Sequence, residues 1–221
     1  DQPIDLAKVN DRIRSAIKRE LHRRGYDETE TAPDLIVSFS AGVNTELDEA
    51  YCHYVDAGDY PNGFDYLGGR ERLLVLRTFS KAYGLAGLRV GYGVTTAEIA
   101  DLMHRVRQPF NVNNLALAGA IAALDDHAFI AESYDNNRRG MEQIVAGLKR
   151  LGLEHIPSHG NFVTFKAGDA AKVNQALLKQ GVIVRPIGGY ALPEHLRATI
   201  GLERENARFL EALEKALESA R

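Results

Sequence analysis

The sequence predicts a mixed α/β protein, with a larger part built around a layered sheet, a long helix, and a small C-terminal α+β lobe. Three features of the pattern predict it. Short apolar runs at Leu73–Leu76 and Val90–Val94 sit between glycine-rich turns, as short strands of a wrapped sheet do. A periodic stretch from His127 to Leu151 reads as one long helix, of the kind that commonly bridges two lobes. Beyond it, strand-like and helix-like runs follow one another to the C-terminus.

Each element has its own local cause. Leu6, Val9, Ile13, Ile17 and Leu21 recur at helical spacing over Asp5 to Arg24, with Asp5 as cap and Gly25 as stop. Pro33 then breaks the chain, and Leu35, Val37 and Phe39 alternate as one face of a half-buried strand. Thr95 and Glu98 can form a capping box for a helix carrying Ile99, Leu102, Met103 and Val106. Leu115–Leu124 is an alanine-rich helix, and Asp126 caps the long one, whose apolar stripe is Ile130, Tyr134, Met141, Ile144, Val145 and Leu148. In the C-terminal lobe, Asn161–Phe165 is a strand and Asp169 caps a helix ending at Gly181. Val182–Val184 and His195–Ile200 are strands, and Glu203–Leu217 is a closing amphipathic helix.

Composition narrows the function classes. The 221 residues are 45% hydrophobic and 26% charged, with a formal net charge of -3, which is ordinary for a globular protein. Mixed signs without a basic run argue against nucleic acid as a partner. No apolar run reaches the length of a membrane span, and no signal peptide opens the chain, so a cytoplasmic location is expected. The single cysteine, Cys52, excludes a disulfide within the chain. None of the seven histidines stands in metal-ligand spacing, so no metal is expected.

The chemistry centres on TFSKAYGLAGLRVGY, residues 78–92. Lys81 follows a strand directly, on a loop where Gly84, Gly87 and Gly91 permit tight or left-handed turns. Ser80 and Arg89 offer a hydroxyl and a guanidinium fork, which together suit a phosphate. A lysine, a phosphate site and a nearby acid are what pyridoxal 5′-phosphate (PLP) requires: an amine to form a Schiff base, an anchor, and a carboxylate to keep the pyridine nitrogen protonated. Asp48 is the candidate acid, and Tyr51, three residues on, can reach the same ring. The glycine spacing matches neither a dinucleotide fingerprint nor a P-loop.

LDEAY, RTFSKAYGLAGLRVGYG, RQPFNVN, GNFV, GVIVRP and LRATIGL occur in this order from about Glu46 onward. In this the chain resembles the histidinol-phosphate aminotransferases, PLP enzymes of fold type I. The resemblance implies a partial three-layer PLP-binding large domain over residues 44–151 and a small lobe over 152–221. It also implies a homodimer whose substrates are a small-molecule amino donor and a 2-oxo acid in histidine biosynthesis. By the same resemblance Lys81 is the Schiff-base lysine, Asp48 the partner of the pyridinium nitrogen, and Tyr51 a donor to the phenolic oxygen. Thr78, Ser80 and Arg89 hold the phosphate, Arg197 grips the substrate carboxylate, and Asn161 and Arg185 lie near the substrate.

Residues 1–43 differ in character. RIRSAIKRELHRRGY followed by APDLIVSFSAGV resembles part of a bacterial envelope lipoprotein domain, which implies a chimera, a fusion or a gene-assembly artefact with its seam near Val43 and Asn44. The family's N-terminal half supplies a glycine-rich turn at a helix N-terminus, a ring stacked on the cofactor, and an Asn-Pro loop. None of these precedes Asp48, so the isolated chain is expected to bind PLP weakly and to transaminate poorly. Two other readings stand beside the transaminase: an inactive or chimeric non-enzymatic protein, and a PLP decarboxylase acting on phosphothreonine.

Overall fold

The structure, a computed structural model, describes residues 45–55, 57–69 and 72–220. The helix expected over 5–24, the strand over 35–40, the seam at Val43 and the lipoprotein-like origin of that segment lie outside the described residues. The chain divides into two compact units. One runs to Cys52 and continues from Ala57 to Ala131; the other takes His53–Asp56 and Glu132–Arg221.

Among the described residues of the first unit, three strands lie in the order β1 (Thr45–Asp48), β2 (Leu73–Thr78), β3 (Gly91–Val94). β1 runs parallel to β2 with Asp48 opposite Leu76, and β3 runs antiparallel with Gly91 opposite Thr78. Successive side chains of β2 point to opposite faces, and both faces are covered. Leu73 and Val75 join Phe64, Phe79, Tyr92, Val94 and the Ala116, Leu117, Ala120 and Leu124 stripe of α2 (Asn114–Asp125). Leu74 and Leu76 pack with Ile99, Ala100 and Met103 of α1 (Ala97–Val106). Helix, sheet and helix thus form three layers, which is why LLVL reads as an unbroken apolar run.

Around α1 the chain departs from the local pattern in two places. Thr96, not Thr95, caps α1, accepting from the Ile99 amide at 3.5 Å. Thr95 is buried, and its hydroxyl donates to the Leu73 carbonyl at 2.6 Å, so tertiary pairing takes the side chain that the local pattern assigned to the helix. On α1 only Ile99 and Met103 of the four apolar positions are buried; Leu102 and Val106 face outward.

In the second unit the α3 helix (His127–Arg150) begins in the first unit and enters the second at Glu132. Asp126 accepts from the Phe129 amide at 3.0 Å at its start. The sheet order is β4 (His155–Ile156), β5 (Phe162–Lys166), β7 (His195–Thr199), β6 (Arg185–Pro186), antiparallel throughout. Val163, Phe165, Leu196 and Ala198 form one core with Ile144 and Leu148 of α3, Val173 and Leu177 of α4 (Ala170–Lys179), and Phe209, Leu210 and Leu213 of α5 (Glu203–Ala220). The strand expected over Val182–Val184 is displaced. Gly181 turns the chain at φ 71°, and ladder pairing begins only at Arg185. Asp169 caps α4 as expected, accepting from the Lys172 amide at 3.1 Å.

Candidate active site

Asp48 and Lys81 leave the sheet in the same direction, because β1 and β2 are parallel and each residue lies at or just past a carboxyl end. That edge of a parallel pair is where open α/β sheets collect ligands. Asp48 is exposed there. The chain then turns, closed by the Cys52 amide on the Glu49 carbonyl at 3.2 Å, and this turn carries Tyr51. The Lys81 ammonium lies 5.5 Å from the centre of the Tyr51 ring.

The lysine loop is held by its own backbone. The Phe79 amide donates to the Val90 carbonyl at 3.2 Å, and the Leu85 amide to the Phe79 carbonyl at 2.9 Å. Gly84 sits at φ 69°, with its amide on the Lys81 carbonyl at 2.9 Å, so the lysine begins a tight turn that a side-chain-bearing residue would strain. Of the other two glycines neither is left-handed. Gly91 is needed for close approach, since a Cβ there would lie 2.7 Å from the Arg77 carbonyl oxygen. The second left-handed residue is Arg89, at φ 55°. Its guanidinium is exposed and donates to the Ala86 carbonyl at 3.0 Å. The Thr78 hydroxyl accepts from the Ser80 amide at 3.1 Å, bending the chain at the end of β2.

The first unit therefore places an amine beside a phenol, with a carboxylate at the end of the neighbouring strand and two hydroxyls, Thr78 and Ser80, close before the lysine in sequence. This donor set can hold an aromatic aldehyde and an adjoining phosphate. Arg89 is on the lysine loop, with its fork turned to Ala86.

Beneath the site lies a pair that sequence reasoning missed. Glu49 and Arg77 are 6% and 5% exposed. Arg77 donates to Glu49 Oε2 through Nε at 2.9 Å and Nη2 at 2.7 Å. Glu49 Oε1 accepts from the Gly63 amide. Arg77 Nη2 also reaches Asn62 Oδ1 at 3.1 Å, and the guanidinium lies 3.9 Å from the Phe64 ring centre. Burial alone would push the Arg77 guanidinium down, but Tyr92, Cys52 and Glu49 more than offset it and hold it above its ordinary value. Tyr60 nearby is raised by burial and then by the Glu49 charge. The signal that could have revealed the pair is an arginine inside the apolar run LLVLRTF, since a charge in a buried strand must be partnered.

Asn161, Arg185 and Arg197 belong to the second unit. Arg197 pairs across the ladder with Thr164 on one side and Arg185 on the other, so the two guanidinium stems rise on one face, opposite the core. Arg197 lies 4.6 Å from the Phe162 ring centre, and its buried Nε has no hydrogen-bond partner among the described residues. The Asn161 carbonyl accepts from the Ile200 amide at 2.8 Å, which fixes it at the mouth of β5. Two like charges directly opposite on a sheet repel, so this face suits an anion. Phe162 was not singled out by the sequence; its place beside Arg197 depends on strand register.

Residues 37–213 match the family model for aminotransferase class I and II. Histidinol-phosphate aminotransferase 1 of Dechloromonas aromatica (strain RCB) is 71% identical over 171 residues, 77% of this chain and 47% of its own length. The chain spans about half the length of the curated relatives it matches. Among solved structures, histidinol-phosphate aminotransferase from Sinorhizobium meliloti, in complex with pyridoxal-5′-phosphate, superposes with a TM-score of 0.74 at 30% identity, covering 80% of this chain and 49% of that one. L-threonine-O-3-phosphate decarboxylase from Porphyromonas gingivalis superposes with a TM-score of 0.69 at 27% identity, covering 78% and 55%. With the family model spanning most of its length, the chain belongs to the aminotransferase class I and II family.

Proposed function

We propose that this chain carries the lysine-bearing part of a PLP-dependent transaminase that moves an amino group between L-histidinol phosphate and 2-oxoglutarate in histidine biosynthesis. The observation that carries the reading is the Lys81 ammonium 5.5 Å from the Tyr51 ring centre, on the loop leaving β2, with Asp48 at the end of the parallel neighbour. The donor set fits the cofactor. When bound, PLP supplies an aldehyde for the amino group and a cationic ring that withdraws electrons. Asp48 would hold the ring nitrogen protonated and Tyr51 would donate to the phenolic oxygen. Thr78, Ser80 and Arg89 would take the phosphate. Lys81 Nζ, the one primary amine of this group, would take the proton from the donor's Cα as general base. On the same reading residues 44–151 form the cofactor-binding part and residues 152–221 the lobe that meets the substrate. There Arg197 would clamp the carboxylate beside Arg185 and Asn161. The working form would be a cytoplasmic homodimer.

Titration of the chain with PLP tests this. A visible absorbance band that Lys81→Ala abolishes supports it, and a band that survives the substitution, or none at all, sinks it. A second reading, decarboxylation of a phosphorylated amino acid, is favoured by the superposition on the phosphothreonine decarboxylase. Release of CO2 in place of 2-oxoglutarate-dependent amino transfer would decide for it.

A further inference from the structure

Asp48 and Glu49 are adjacent acids, and only one of them reaches the site edge. What sorts them is on the other side of the sheet. Side chains alternate along a strand, so a slip of one residue would exchange the two. Glu49 is turned inward, where both carboxylate oxygens are occupied: Oε2 by Arg77 and Oε1 by the Gly63 amide. Its backbone amide meanwhile donates to the Leu76 carbonyl at 2.9 Å, one step past the last β1–β2 pair. Glu49 is therefore the first residue of the turn that carries Tyr51. Arg77 is the last buried residue of β2 before the segment that carries Thr78, Ser80 and Lys81. Both segments leave the sheet at this one place, and the ion pair joins them there.

We propose that Glu49 and Arg77 are positioning residues, which set the Tyr51 turn against the Lys81 loop and keep Asp48, not Glu49, at the ligand edge. The inference rests on the reading of Lys81, Tyr51 and Asp48 as the cofactor site, and it assigns a role to two residues that touch neither cofactor nor substrate. The pair acts through its geometry. The fork of Arg77 locks to a single oxygen, Asn62 and the Phe64 ring hold the guanidinium in place, and Gly63 holds the remaining oxygen.

The test replaces both charges at once, with Glu49→Gln/Arg77→Met, since a neutral pair of similar volume commonly restores a fold that either single change would break. Two quantities are read on the folded variant. One is the acylation rate of Lys81 relative to exposed Lys172, by mass spectrometry without cofactor. The other is the PLP affinity and the pH midpoint of the Lys81-dependent band. We expect the relative acylation rate to change, the midpoint to move, and PLP affinity to fall by about tenfold, as when residues that orient a ligand-binding group are removed. A variant that folds like the parent and matches it in acylation rate, affinity and midpoint overturns the proposal, because the pair then serves the fold alone. If the double variant does not fold, Arg77→Lys, which keeps the charge and loses the fork, is judged by the same readings. If the unaltered chain gives no Lys81-dependent band, the cofactor reading fails, and the relative acylation rate alone upholds or overturns the positioning role.

Discussion

Arg185 and Arg197 stand directly opposite each other on β6 and β7, an arrangement that a sheet selected for stability alone would avoid. Arg185 is exposed, so solvent screens part of the repulsion. Replacing it with glutamine should raise stability by about a few tenths of a kcal/mol, within the range of cross-strand pairs, in a urea titration. If this face holds a substrate carboxylate, as proposed, the same change should weaken that binding. A loss of stability would show that Arg185 is partnered rather than opposed. Gly63 presents the reverse case. A Cβ there would lie 2.8 Å from Glu49 Oε1 and 2.9 Å from a Val75 methyl carbon, against a buried ion pair that cannot yield. Gly63→Ala should therefore destabilise by about 1–3 kcal/mol, as overpacking does, in the same titration. The Glu49–Arg77 pair is more demanding: Glu49→Gln alone leaves a buried guanidinium without its counter-charge and should cost about 3–5 kcal/mol.

At the scale of elements, the two threonines before α1 separate local from tertiary roles. Thr96 caps the helix through a long 3.5 Å contact, so Thr96→Ala should fall near the low end of the roughly 0.5–2 kcal/mol typical of N-caps. Thr95→Val strands the buried Leu73 carbonyl, and its cost should be the larger, about 1–3 kcal/mol. The reverse order in denaturation midpoints would return the cap to Thr95. For α4 the cap is ionisable. Asp169 is held below the usual carboxylate range, chiefly by the Lys172 amide; burial opposes this, and the Lys172 ammonium and the Ala171 amide add to the lowering. A depressed folded value means that its contribution is complete above the unfolded carboxylate range. It fades as pH falls through the lowered value. Asp169→Asn, which still caps, should flatten the acid limb of the stability profile and leave neutral pH nearly unchanged.

At the scale of the whole molecule, each compact unit has a core of its own. In the second, Leu213 is fully buried within the cluster that joins α3, α4, α5 and the sheet. Leu213→Ala should cost about 2–5 kcal/mol, as cavity-forming changes do, and hydrogen exchange at the β5 and β7 amides would register it. In the first, three layers form around β2 because its apolar residues alternate faces, and both faces find a helix.

Much of this was written locally in the chain. Asp126 and Asp169 are caps because a short acid before an apolar-periodic run can reach the free amides of the first turn, an interaction spanning three residues. Lys81, its turn at Gly84 and the strand before it are contiguous, so the lysine loop was legible from residues 73–92. The ends of α1 and the position of β6 were not. Whether Thr95 or Thr96 caps depends on a carbonyl twenty-two residues away, and the run Val182–Val184 lost its strand to the register that begins at Arg185. β1 forms over the polar Thr45 and Glu46 because β2 is there to pair with it, not because its own sequence favours a strand. Residue type alone set which side chains could do chemistry, since lysine, tyrosine and aspartate carry their reactivity wherever they stand. The meeting of Glu49 with Arg77, and of Phe162 with Arg197, came only with the folded arrangement of the strands. Those pairings follow from strand register and burial, which arise between segments that no local pattern connects.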